Sequence, residues 1–263
     1  MVKLGKFFKG LYVVLMGIFL YAPIFTLIVF SFNAGKSRAK WDGFSLKWYA
    51  ALFQNQTILQ ALYNTIIIAL VSSLIATLIG TMASIAMNRM KKLPRQVMMG
   101  ITNIPMLNAD IVTGISLMLL FIMMDFALGF TSVLLAHITF NIPYVILSVM
   151  PKLKQTDRHV FEAAQDLGAT PISAFFKVVL PDIFPGILSG FLLAFTMSLD
   201  DFVITHFTKG AGVDTISTKV YTELRKGIKP EMYALSTLMF VTVLILLVFI
   251  NRRRDRQNEA QKI

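Results

Sequence analysis

Long apolar blocks, rather than a periodic apolar stripe, dominate this chain. Six of them, roughly 11–32, 62–87, 97–124, 127–150, 184–208 and 232–250, are each long enough to cross a bilayer, because about 20 mostly apolar residues span a ~30 Å hydrocarbon core as helix. The pattern predicts an all-α, polytopic membrane protein with six transmembrane helices, one domain over 1–263 and no soluble domain attached. The first block is too long, and lacks the small-residue cleavage site, to be a removable signal peptide. It is expected to stay in place as the first span.

The polar positions refine that picture. Asn103, Pro105, Asn108, Asp110, Thr113 and Gly114 interrupt the third block, which is therefore expected to bend or break there. Irregular backbone at membrane depth is tolerated only where protein or a water-filled cavity covers it. In the 33–60 segment, Trp41, Trp48 and Tyr49 suit a headgroup region as aromatic anchors, and Ser45 to Phe53 reads as a short interfacial helix. Between the fourth and fifth blocks, Arg158 to Pro181 reads as two helices broken at one glycine. Gly168 suits the left-handed position that ends a helix. Thr170 can cap the next one, with Pro171 pre-set at its first position. So well punctuated a helix–turn–helix is expected to dock something.

Composition agrees with the pattern: 56% of residues are hydrophobic and the mean hydropathy is +0.69. With no cysteine, disulfides, thiolate catalysis and thiolate metal sites are excluded. The net charge of +11 would allow nucleic acid as a partner, but the distribution of charge decides otherwise. With the N-terminus inside, the segments on that side hold 16 Lys and Arg, against 9 on the other. The bias predicts both termini in the cytosol and 158–181 with them. The basic clusters then act as topology anchors beside membrane lipid, and no nucleic-acid partner is expected.

An aspartate at the centre of a span costs roughly 2.5–3.5 kcal/mol on insertion scales, so it usually faces a cavity or a partner. Asp110, Asp125, Asp200 and Asp201 lie within or beside the apolar blocks. Asp125 precedes a short turn and reads as a solvated or capping residue. Adjacent Asp200 and Asp201 point about 100° apart on a helix. Ser198, Asp201, Thr205 and Thr208 follow one another at helical spacing and would form a polar stripe, which makes Asp201, with Thr205, the first candidate for a translocation path. Asp200 is expected to bond a neighbouring helix or a partner subunit, with a path role also open. Asp110 would share a face with Asn103, Thr113 and Gly114 if the third span stayed helical, either as a second path contact or as a helix-packing network. Acids among many Phe residues suit a cationic amine.

No catalytic constellation appears. The nearest approach to a P-loop, Gly35-Lys36-Ser37, has Phe30 where the first Gly belongs. His137, His159 and His206 lack metal-ligand spacing, and no Gly-x-Ser-x-Gly elbow occurs. No metal and no cofactor are expected in this chain, and an ATP-driven process would need ATP bound by a separate subunit. An ion-coupled secondary transporter using Asp200 and Asp201 is a rival reading. It leaves 158–181 without a purpose and finds no evident inverted repeat.

Glu162-Ala163-Ala164, three residues, Gly168, nine residues, Val178, one residue, then Leu180-Pro181 resembles the EAA loop of ABC importer permeases. Val178 stands where that pattern carries Ile and keeps its β-branched shape. Ser198 to Thr205 narrows the resemblance to the spermidine/putrescine branch. The resemblance implies a multi-pass subunit of the bacterial inner membrane that forms part of a polyamine path and is not itself an enzyme. It also implies a second, distinct but similar permease, two cytosolic ATPase subunits and a periplasmic substrate-binding protein. Glu162, Ala163, Ala164, Gly168, Leu180 and Pro181 would couple to the ATPase. A same-class transporter of another small solute is the nearest alternative.

Overall fold

In the computed structural model the described residues are 2–36, 40–227, 229–242 and 244, with backbone alone for 2–9 and Arg158. They form α1 (Val2–Ser31), α2 (Lys47–Gln54), α3 (Gln56–Arg89), α4 (Lys92–Leu107), α5 (Asp110–Met123), α6 (Phe130–Gln155), α7 (Arg158–Asp166) and α8 (Pro171–Ala174). A π turn (Phe175–Val179), α9 (Leu180–Asp200), α10 (Val203–Thr208) and α11 (Ile216–Lys226) follow, then α12, described as helix over 230–242. The only extended pairing among the described residues is an isolated bridge between Asn33 and Phe44.

Among the described residues, four helical runs are long and apolar enough to cross a membrane: Gly10–Ser31, Gln56–Arg89, Phe130–Gln155 and Pro171–Asp200. The α4–α5 pair passes the same test jointly but is bent by 103°. The expected break in the third block is therefore present, at Asn108-Ala109. The sixth expected span, 232–250, is described over 232–242 and at 244, all of it helix; the rest of it lies outside the described residues. The fifth is corrected: helix does not run continuously over 184–208, because it ends at Asp200 and restarts at Val203.

The chain divides into two compact units, 1–59 with 220–263, and 60–219. In the first, Asn33 closes the loop after α1: its Nδ2 donates to the Lys40 carbonyl (2.8 Å) and its Oδ1 accepts from the Asp42 N–H (2.8 Å). Trp48, on the short helix expected near 45–53, is buried, and its indole N–H donates to the Asn33 carbonyl at 2.7 Å. Tyr49 and Ser31 share a hydroxyl hydrogen bond of 2.7 Å. Trp48 is thus a packing residue rather than a headgroup anchor, because its one polar atom has an internal acceptor.

In the second unit α6 is central. Val145, Val149 and Leu153 on α6 pack with Ala76 of α3 and with Ile183 and Ala194 of α9. Glycines set the approach. A Cβ at Gly80 of α3 would lie 2.8 Å from Val145 Cβ, and one at Gly190 of α9 would lie 3.3 Å from Val145 Cα. Without a hydrophobic drive between helices in lipid, such close backbone packing supplies the association energy. By contrast α4 fully buries no residue; Met99 packs against Ile146 and Met150 of α6, while Leu93, Val97, Ile101, Ile104 and Leu107 are exposed.

Gly80→Leu should therefore lower the thermal midpoint of the detergent-solubilised protein, by an amount matching about 1–3 kcal/mol of overpacking. Gly17→Leu, at a position with nothing within 4 Å, should leave the midpoint unchanged.

Candidate functional site

The segment between α6 and α9 is capped at each turn. The Asp157 carboxylate accepts from the His159 N–H at 2.9 Å and starts α7. At its end the Gly168 N–H donates to the Gln165 carbonyl (2.9 Å) and the Ala169 N–H to the Ala164 carbonyl (3.1 Å). These two bonds form a Schellman motif, and Gly168 sits at φ 88°, where an L side chain is strained. Thr170 then caps α8, its Oγ1 accepting from the Ser173 N–H at 3.3 Å, with Pro171 in the first turn.

The Leu180-Pro181 pair explains the π turn before it. A proline inside an α-helix lacks an N–H and drives its ring into the carbonyl four residues back, here that of Lys177. In the wider turn the Leu180 N–H reaches the Phe175 carbonyl instead. The helix can then continue from Pro171 to Asp200 without a kinked gap. Thr156 Oγ1 donates to the Asp182 carboxylate at 2.5 Å, tying the end of α6 to the first turn of α9.

This element presents apolar groups outward, with Val160, Leu167, Ile172 and Phe176 all exposed. Glu162 is half exposed, 3.7 Å from His159 Nδ1. Ala163 is exposed and Ala164 partly so, and neither side chain keeps a partner at a distance. Between the end of α3 and α7 lies a groove of about 720 Å³, lined by Arg89, Phe161, Glu162, Gln165 and Phe175 among others.

The second site is the break after α9. Asp201 leaves the helix at ψ 126° and turns back as a cap for α10. Its Oδ1 accepts from the Ile204 N–H (3.2 Å), and its Oδ2 from the Thr205 N–H and Thr205 Oγ1 (both 2.8 Å). The break thereby recovers hydrogen bonds that an interrupted helix would lose inside hydrocarbon. The Asp201 side chain is only 8% exposed, with His137 Nε2 3.4 Å from Oδ2, whereas Asp200 is exposed. The polar stripe expected on a continuous helix is thus replaced by a different arrangement, with Asp201, Thr205 and Ser198 turned inward and Asp200 outward.

His137 of α6 joins these groups. Its Nδ1 lies 2.6 Å from Ser198 Oγ and its Nε2 2.9 Å from Thr205 Oγ1. Thr205 Oγ1 gives its only proton to Asp201, so it must accept from His137, which fixes a proton on Nε2. Ser198 Oγ is also 3.2 Å from Ser72 Oγ of α3, which accepts from Asn141 Nδ2 at 3.4 Å. His137, Ser72, Asn141 and Thr205 are each 1% exposed or less.

Asp110 opens α5 just after the 103° bend and is exposed. A narrow crevice joins it to Thr113, Tyr144 of α6 and Ile204 of α10. The bend separates Asn103 from this group, so the four-residue face expected on a straight third span is not formed. Gly114 lets α10 approach, since a Cβ there would lie 3.1 Å from Phe207 Cδ2. Asp125 is exposed at φ 52° in the turn between α5 and α6, a conformation that Asp tolerates better than most residues.

Residues 76–257 match the family described as binding-protein-dependent transport system inner membrane component. The chain belongs to that family. It is 37% identical over 242 residues to the spermidine/putrescine transport system permease protein PotC of Haemophilus influenzae, covering 92% of this chain and 94% of that one. Over 232 residues it is 37% identical to the putrescine transport system permease protein PotI of Escherichia coli, covering 86% and 83%. A bacterial ABC transporter involved in the import of the acidic polysaccharide alginate has a similar fold. The TM-score is 0.72 at 19% identity, over 97% of this chain and 99% of that chain. The methionine ABC transporter MetNI, in an inward-facing form, gives 0.60 at 18% identity over 74% and 93%.

Both sites of this permease lie in the 60–219 unit and inside or just before the matched region. Of the path residues that the sequence marks as candidates, the structure brings Asp201 and Thr205 together, leaves Asp200 beside them facing out, and sets Asp110 against α10. The sequence pattern does not single out His137, Ser72 and Asn141 as site residues. The available signal is the pair His137 and Asn141, one turn apart on a span whose other polar side chains up to Met150 are hydroxyls.

Backbone strain at Gly168 yields a graded prediction, because a Cβ there meets nothing within 4 Å and φ alone decides. Gly168→Val should raise the rate of limited proteolysis within 158–171 roughly fivefold or more, as expected for 1–2 kcal/mol of strain. Gly168→Asn should raise it less.

Proposed function

We propose that this permease is one of two distinct but similar membrane subunits of an ATP-driven importer of polyamines in a bacterial inner membrane. It crosses six times, with both termini in the cytosol. It binds no cofactor; ATP is bound by two cytosolic ATPase subunits, and a periplasmic protein delivers the substrate. The observation that carries the reading is the identity, over nearly the whole chain, to relatives whose names specify spermidine and putrescine transport. The charge bias of 16 to 9 supports the orientation.

In this reading the 158–181 element is the mechanical input. Val160, Leu167, Ile172 and Phe176 form the apolar part of the face that meets the ATPase, while Glu162 gives it a polar contact. Ala163 and Ala164 allow close approach, and Gly168 holds the angle between the two short helices. Leu180 and Pro181 pass movement into α9 through the π turn. ATP binding closes the ATPases and shifts this element, and the helices rock from inward- to outward-facing. The path then takes substrate from the binding protein and releases it inward after hydrolysis.

The path acids are Asp110 and Asp200, both exposed, with Asp201 and Thr205 forming the cap that holds the break beside them. Carboxylates neutralise ammonium groups, and the faces of Phe rings attract them. This chemistry suits a linear polycation and disfavours an anion.

Sealed vesicles containing the whole assembly test the class and the solute together. Uptake of radiolabelled spermidine or putrescine should need ATP and the co-purifying ATPase, and uptake driven by an ion gradient alone would overturn the reading. Glu162→Arg should abolish uptake while the chain still inserts and is found in the membrane. Asp200→Asn should lower uptake about tenfold, the scale of one lost charge-assisted contact, and Asp125→Asn should change it little.

A further inference from the structure

The break after α9 joins two helical segments through a residue on neither. Ser198 belongs to the last turn of α9 and Thr205 to the first turns of α10, and His137 contacts one with each ring nitrogen, at 2.6 and 2.9 Å. The imidazole is rigid and 1% exposed, so it fixes the separation of these two hydroxyls and with it the angle at the break. A second bond from the same helix secures the far end of α10: Ser132 Oγ donates to the Thr208 carbonyl at 2.8 Å. On the α9 side, Ser72 of α3 meets Ser198 at 3.2 Å. The packed backbone of α6 is therefore the reference frame against which the break is set.

The consequence concerns the two adjacent acids. Asp201 is held inward by three donors from α10 and by proximity to His137. While it is so held, the last residue of α9, Asp200, is the acid of the pair turned outward. If α9 and α10 were released from each other, the two carboxylates could exchange roles, or both could approach solvent. We propose that His137 is a positioning residue for transport, a splint across the break that keeps Asp201 buried as a cap and presents Asp200 to the path. This rests on the reading of Asp200 as a path acid.

The geometry separates a splint from a source of charge. A neutral imidazole with its proton on Nε2 donates to Thr205 and accepts from Ser198, and it satisfies both contacts without a positive charge. A glutamine side chain can offer the same pair, an amide N–H for Thr205 and a carbonyl oxygen for Ser198, but carries no charge. Alanine offers neither. It takes one buried partner from each of Ser198 and Thr205, and the penalty of an unmade buried hydrogen bond then falls on both sides of the break.

The test uses the complete transporter in proteoliposomes, with radiolabelled spermidine as the probe and uptake expressed per assembled complex, counted by co-purification of the subunits. His137→Ala should lower uptake about tenfold or more, and His137→Gln should stay within about threefold of the unaltered protein. The deciding comparison is a double-mutant cycle. Asp200→Asn should lower uptake about tenfold alone but less than about twofold in the His137→Ala background, because an acid already misaligned has little left to lose.

If the two losses multiply, or His137→Ala transports normally, or His137→Gln is as impaired as His137→Ala, the splint is overturned while the path reading stands. A silent Asp200→Asn would instead overturn the path reading, and the splint with it. Should His137→Ala fail to assemble, Ser198→Ala takes its place in the cycle. It cuts one nitrogen loose without opening a large cavity, and the same non-additivity with Asp200→Asn is required.

Discussion

Backbone groups freed where a helix is interrupted must find other partners, and inside hydrocarbon those partners must come from the protein; the described residues show three interruptions with different solutions. At Asp201 a carboxylate takes the N–H groups of Ile204 and Thr205 that open α10. At the π turn the Leu180 N–H shifts to the Phe175 carbonyl and makes room for Pro181. At the third span Asp110 begins a new helix after a 103° bend. The acids that mark the candidate path occur at two of these breaks. A break supplies both a reason for a polar group at depth and the irregular geometry that lets it be exposed to a cavity.

The same requirement explains how the Asp201 carboxylate beside His137 is supplied, although Asn141 Oδ1 at the far side of the cluster is buried without a hydrogen-bond partner. A buried carboxylate is tolerated only when its oxygens are well supplied with donors. Asp201 receives three at 2.8–3.2 Å, two from backbone and one from a hydroxyl. That hydroxyl accepts a hydrogen bond from His137 Nε2–H, and the ring's other nitrogen meets Ser198. Each bond fixes the direction of the next, so the break is held by a chain of donors rather than by one contact. Packing reinforces it, because Gly114 brings α5 against Phe207 on the opposite side of α10.

Features that depend on residues close in sequence are the legible ones. The blocks that form α1, α3, α6 and the 171–200 helix stand out by length and apolarity. Asn103, Pro105 and Asn108 mark the α4–α5 break, and local turn chemistry marks the caps at Gly168 and Thr170. The roles within the acid pair are not legible, because the 100° argument assumes a helix that Asp201 itself interrupts. Nor is His137, whose partners come from the end of α9 and from α10, more than 60 residues away. Trp48 misleads for a similar reason. Its buried position depends on the Asn33 carbonyl, and an aromatic near a span end looks the same from sequence whether it faces headgroups or a core.

The distribution of rigidity along the chain bears on how such a permease can work. The 158–181 segment runs into α9 through five residues of π turn, and α9 runs unbroken from there to Asp200. Around it, Val145 is gripped between Gly80 and Gly190, so α6 and α9 are packed too closely to slide without reorganising backbone contacts. The break is tied to the same packed pair, because His137 of α6 bonds Ser198 of α9 and Thr205 of α10. The acid pair at 200–201 is therefore held by helix packing as well as by hydrogen bonds, which makes the break a fixed part of this unit rather than a loose joint.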